Sequence, residues 1–171
     1  ISNEFINLNN GDNTFSVSGD ISGANKILTG SGANTITLDN GAKLKDNLMV
    51  DFSNAGDTKT STLAMNASGS ISVTASKNTT ISVSGANTGP DTKAKIDTLK
   101  AGAGTTTINF TDNAKIKTLN ASDTNDSTIT VSGTGTIENI SGSDTKDTIN
   151  INDANSQITN LNAGASGTDI T

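Results

Sequence analysis

Cysteine, histidine, tryptophan, tyrosine and arginine are absent from the 171 residues, and Pro90 is the single proline. Without Cys and His the chain lacks thiolate chemistry, the commonest zinc ligands and the side chain that titrates nearest neutral pH. With four Phe as the only aromatics, it offers no stacking platform for bases. All eleven cations are lysines, outnumbered by seventeen acids, and the net charge is −6. Scattered lysines in such an excess of acid exclude a basic footprint for nucleic acid or an anionic membrane surface. No apolar run approaches the roughly 20 residues of a membrane-spanning helix, so membrane insertion is not expected. The chain opens Ile1-Ser2-Asn3-Glu4 with no methionine or signal peptide, and the expectation is a segment of a larger protein.

What is present is Thr, Asn, Ser and Gly: 28, 23, 20 and 17 residues, 88 of the 171. These are poor helix formers, and no stretch sustains a 3.6-residue spacing. Only 35 residues are Ile, Leu, Val or Phe, too few for a broad central core, so their spacing has to decide the fold.

Two classes of apolar site alternate along the whole chain. One follows Thr, or Asp in the last case: Phe15, Ile36, Leu63, Ile81, Ile108, Ile129, Ile149 and Ile170. A second apolar residue stands two positions further on in most of them, as Val17, Leu38, Val83 or Ile151. That period of two, with polar residues between, reads as a short strand with one buried and one wet face (strand A). The other class is Ile6, Ile27, Leu48, Ile71, Ile96, Ile116, Ile137 and Ile158 (strand B). In its later members it stretches to Ile-x-x-Leu or Ile-x-x-Ile, as in Ile96–Leu99 and Ile137–Ile140, which predicts a bulge.

A strand that recurs every ~21 residues cannot bury a face alone, but stacked copies bury a continuous stripe. The predicted fold is all-β: a parallel β-helix (β-solenoid or β-roll) of about eight coils, ~21 residues per coil, with uncapped ends. Residues 1–171 form a single solenoid segment. Eight coils at about 4.8 Å would make a rod on the order of 40 Å long. The longer intervals near 50–61 and 84–95 are expected to protrude, either as contact loops or as tolerated insertions.

The phrase Ile116-Lys117-Thr118-Leu119-Asn120-Ala121-Ser122, echoed in Ile96–Gly102 and Ile158–Gly164, resembles the repeats of bacterial surface-layer and RTX-type surface proteins. The resemblance covers residues 96–171 well and the earlier half loosely. No complete Gly-Gly-x-Gly-x-Asp nonapeptide is present, and Gly142–Ile149 is a degenerate version. The family implies secretion to the bacterial cell surface, calcium-assisted folding and self-association into a lattice. It also implies anchoring to envelope glycan or lipopolysaccharide through other parts of the parent protein.

Calcium takes hard oxygen ligands, and the closely spaced pairs Asp123 with Asp126 and Asp144 with Asp147 are the candidates. The alternative is that they are turn aspartates bonding local backbone amides. A second pattern is an outward threonine file, Thr14, Thr35, Thr62, Thr80, Thr107, Thr128 and Thr148, expected at one position of seven successive coils. It resembles the flat files of ice-binding solenoids, while β-branched Thr also stacks well in any sheet. A carbohydrate-active enzyme would need paired carboxylates about 5–10 Å apart, and Glu4 and Glu138 are the only glutamates. The expected role is non-enzymatic: an extracellular, lattice-forming structural protein, with an adhesin or autotransporter passenger as the alternative.

Overall fold

The computed structural model describes residues 5–21, 23–44, 47–56, 58–85, 95–122 and 125–171. Among these there is no helix, and hence none long and apolar enough to cross a membrane. In chain order the first strands are β1 (Phe5–Asn7), β2 (Thr14–Val17), β3 (Asp20–Ile21), β4 (Lys26–Leu28), β5 (Thr35–Leu38) and β6 (Lys43–Leu44). The middle strands are β7 (Leu48–Asp51), β8 (Thr60–Met65), β9 (Ile71–Thr74), β10 (Asn78–Ser84) and β11 (Ile96–Lys100). Two long bent strands follow, β12 (Thr105–Asn120) and β13 (Ser127–Ser141), then β14 (Asp147–Ile151), β15 (Gln157–Asn162) and β16 (Thr168–Ile170).

All pairings are parallel, and they stack the strands in two columns. Sheet B is β1, β4, β7, β9, β11, the second halves of β12 and β13, and β15. Sheet A is β2, β5, β8, β10, the first halves of β12 and β13, β14 and β16. The fold is therefore the predicted β-solenoid, with eight strands in each column among the described residues and seven turns between first and last. The early coils also have a third, short side that the apolar spacing did not reveal. There β3 pairs with β6 and Lys43 bridges to Ser68, which closes the interior over fully buried Ile21.

The core is one continuous inward stripe, in which Ile36, Leu63, Ile81, Ile108, Ile129 and Ile149 are all fully buried. The predicted bulge in strand B is present: the register shifts between Ile96 and Thr98, so that Asp97 and Thr98 both face outward while Ile96 and Leu99 face in. The stretch near 50–61 protrudes only in part, because Val50 and Asp51 lie in β7 and Phe52 and Ala55 are buried. Most of the stretch near 84–95, with Pro90, lies outside the described residues.

Two expected stackings are displaced, each by two residues. In sheet B, Ile6 and Ile27 align with Val50 and Val73, whereas Leu48 begins a column that continues through Ile71, Ile96 and Ile116. In sheet A, Ile129 stacks on Ile149 as expected, but Ile108 lies beside Val131, and Thr106 beside Ile129. The second slip has a local cause. Three residues separate Phe110 from Ala114 at the corner of β12, with Asp112 and Asn113 both at φ 56°, whereas one residue separates their partners Gly133 and Gly135. The Phe110 ring occupies the space where a Cβ on Gly135 would stand, so the slip seats the ring over a glycine corner instead of over Val131.

Thr106 faces inward beside Thr79 and is fully buried with its Oγ1 unpartnered. A buried hydroxyl without a partner costs stability that an isosteric methyl does not. Thr106→Val is accordingly expected to gain about 1 kcal/mol, read as a higher urea midpoint; a loss of that size would mean that the hydroxyl is satisfied.

Candidate functional site

The described acidic turns lie at the corners that lead from sheet B to sheet A. Asp123 is outside the described residues; Asp126 and Asp144 are exposed, and Asp147 is fully buried. Parity explains Asp147: it stands two residues before Ile149, so a strand that turns Thr148 outward turns both Asp147 and Ile149 inward. Its Oδ1 accepts a hydrogen bond from the Ser127 hydroxyl at 2.6 Å. Its Oδ2 accepts the Ser143 amide at 2.9 Å and the Ser143 hydroxyl at 3.1 Å. The carboxylate thus ties one coil to the next and is occupied in doing so.

Asp126 accepts the Lys146 backbone amide at 3.1 Å, and the Lys146 Nζ lies 2.9 Å from Asp169 of the following coil. The hydrogen bond and charge of Asp169, with that of Asp126, hold the Lys146 ammonium above its ordinary range. Lys146 therefore links three coils, its backbone amide to the carboxylate of the preceding coil and its ammonium to that of the following one. Calcium takes six to eight oxygens, and among the described residues no group of three or more acidic side chains is close enough to hold a metal. Asp147, the buried member of the two candidate pairs, spends both carboxylate oxygens on internal hydrogen bonds.

Other charges follow the same pattern of linking coils. Lys26 meets Asp51 at 2.7 Å, Lys59 meets Asp12 at 3.6 Å, and Lys115 pairs with Glu138. Lys95 is buried, donates to the Ala67 carbonyl at 2.6 Å, and its ammonium is pushed down by desolvation. Burial alone would raise the Asp51 carboxyl, but hydrogen bonds from Lys26 and Ser53, with the Lys26 charge, outweigh it and hold the group below its usual 3.8. The stability this gives is present above pH 3.8 and is lost as pH falls through the lower folded value. Asp51→Asn is expected to be less stable than the parent by about 1–2 kcal/mol at pH 7, with the gap closing in acid below pH 3.8. Urea titrations at pH 7 and in that acid range check this, and a gap independent of pH would contradict it.

A groove of about 540 Å³ runs along the corners after β7, β9 and β11, lined by Ser53, Thr74, Ser76, Lys77, Lys100 and Asn125 among others. Its closely stacked wall explains the glycine of the Ala-Gly phrase: a Cβ on Gly102 would collide with the Ser76 carbonyl oxygen.

The threonine file lies on the outside of sheet A, but it is not the file of seven expected. Thr14, Thr35, Thr62, Thr80 and Thr107 are in register, and the next member is Thr130 instead of Thr128. Thr128 and Thr148 belong to the neighbouring file with Thr60, Asn78 and Thr105. A third file is Ser16, Thr37, Ala64, Ser82, Asn109 and Ser132. The physical reason is again the two-residue slip at Phe110, which moves side chains along the strand without turning them over.

No family model, no curated protein and no solved structure matches the chain. Its geometry is that of a rod with side-chain bonds between coils at several corners and one sheet face of mostly hydroxyl and amide side chains.

Proposed function

We propose that the chain is a structural segment of a bacterial cell-surface protein, a stiff rod within a self-assembling coat of surface-layer type. The observation that supports this reading is the continuous parallel pairing of eight strands along each of two sheets. Each coil is held by its neighbours through backbone hydrogen bonds, corner side chains and ion pairs, which suits a load-bearing, protease-resistant element. The role is mechanical and non-enzymatic, and other parts of the parent protein make the attachment to envelope glycan or lipopolysaccharide. A divalent cation enters only as a bridge between exposed carboxylates of neighbouring copies, such as Asp126 and Asp144.

Electron imaging of the parent protein on cells and after purification tests the reading. Ordered two-dimensional arrays are expected; isolated fibres would replace the coat with an adhesin. Repeating the assembly with a chelator tests the cation bridge by itself, and identical arrays in both conditions would discard it.

A further inference from the structure

Charge is distributed unevenly over the rod. From Thr14 in β2 to Asn150 in β14, every outward position of sheet A that is paired to a neighbouring strand is Thr, Ser, Asn or Ala, through seven successive coils, and Asp112 stands at the unpaired corner of β12. Sheet B, by contrast, carries Lys26, Asp97, Lys100, Lys115, Lys117 and Glu138 on its strands. Around sheet A the charges stand at the rim, with Asp39 beyond β5 and Asp126 and Lys146 ahead of β13 and β14.

We propose that the outer face of sheet A is the contact between copies of this chain, sheet A of one against sheet A of the next. The inference rests on the lattice reading and names the surface that would serve it. Three physical points select a second copy as the occupant. First, two copies that each carry a net charge of −6 repel one another, and the repulsion is weakest where the approaching faces hold no charge. Second, a hydroxyl both donates and accepts, so a face of Thr, Ser and Asn is complementary to itself, which a face of one charge sign is not. Third, the parallel ladders place these side chains in straight files that can interdigitate with an identical set.

Size decides what kind of contact it is. Seven strands about 4.8 Å apart, with two or three outward residues about 6.7 Å apart on each, give about 500 Å² per copy. About 1,000 Å² in total lies below the range of stable dimers. The contact is therefore weak alone and becomes effective when each rod makes several at once.

The test compares three purified proteins by sedimentation equilibrium up to about 1 mM, where contacts of this strength become populated. They are the parent chain, the triple variant Thr62→Lys, Thr80→Lys, Thr107→Lys, and the matched variant Ser72→Lys, Thr98→Lys, Thr118→Lys on a single file of sheet B. Circular dichroism and urea midpoints establish that each is folded, and Thr80→Lys alone gives the same reading if the triple variant is not. The expected result is association of the parent and of the sheet B variant, with the sheet A variant losing it by at least tenfold. A parent that is monomeric at about 1 mM, a sheet A variant that associates like the parent, or equal loss in both variants overturns the proposal. Thermal hysteresis in the parent that vanishes in a sheet A variant whose association is unchanged also overturns it and assigns the face to ice. If arrays of the sheet A variant match the parent's, the contact is wrong and the coat stands. If the parent associates through this face but never forms arrays, the coat is wrong and the contact stands.

Discussion

Ile81→Ala is expected to lower the stability of the chain by about 4 kcal/mol, near the top of the range for deleting a large aliphatic side chain from a core. Ile81 is fully buried in the middle of a file that runs Phe15, Ile36, Leu63, Ile81, Ile108, Val131, Ile151. Its backbone is held on both sides, by β8 and by β12. A cavity between two ladders of fixed spacing has little freedom to collapse, so most of the lost packing stays lost. With a urea slope of about 2 kcal/mol per molar, the midpoint should fall by about 2 M. Ile151→Ala, at a partly buried position in the same file, should move it by less than half as much. Equal shifts at the two positions would mean that burial along the file does not grade as described. Because each coil touches only its neighbours, hydrogen exchange should speed up first in β8, β10 and the first half of β12.

Asp147→Ala should be nearly as damaging for a different reason. It takes the acceptor from the Ser127 hydroxyl and from the Ser143 amide, at residues that are at most 5% exposed, while the Ser143 hydroxyl keeps Thr145 as a partner. Hydrogen bonds to a charged group contribute about 1.5–3 kcal/mol each and do not add fully, so a total of about 3–4 kcal/mol is expected. Asp147→Asn, which keeps the shape and one acceptor oxygen, should lose about half of that. Urea midpoints and the exchange rate of the Ser143 amide measure both. Adding calcium provides the contrast: if Asp147 were a ligand, calcium would stabilise the parent and the alanine variant would lose that gain. The internal hydrogen bonds lead us to expect no such difference.

The fold was legible because apolar residues two apart, with a polar or small residue between, state which face of a strand is inside. That alternation identified both sheets, and the Ile-x-x-Leu spacing identified the bulge at Asp97. Register was legible only to within two residues, because moving a strand by two preserves every inside and outside assignment. The placements of Ile108 against Val131 and of Ile27 against Val50 were therefore invisible to spacing. What fixes the first is the fit of the Phe110 ring to Gly135, a contact between different coils. For the turn aspartates, spacing left calcium and amide bonding both open. Parity was available to place Asp147 inside, since it shares the face of Ile149. Lys146, bonded between the carboxylates of adjacent coils, carried no signal in its own turn.

The slip at Phe110 limits how a gene for such a rod can change length. Adding or removing two codons within a wall strand moves side chains along the rod and leaves the lining in place. One codon turns lining out and surface in, and would be eliminated. Corners such as Thr111–Asn113 obey no such rule and absorb insertions of any size. Aligned relatives of this chain should then differ in their walls by even counts and in their corners by any count.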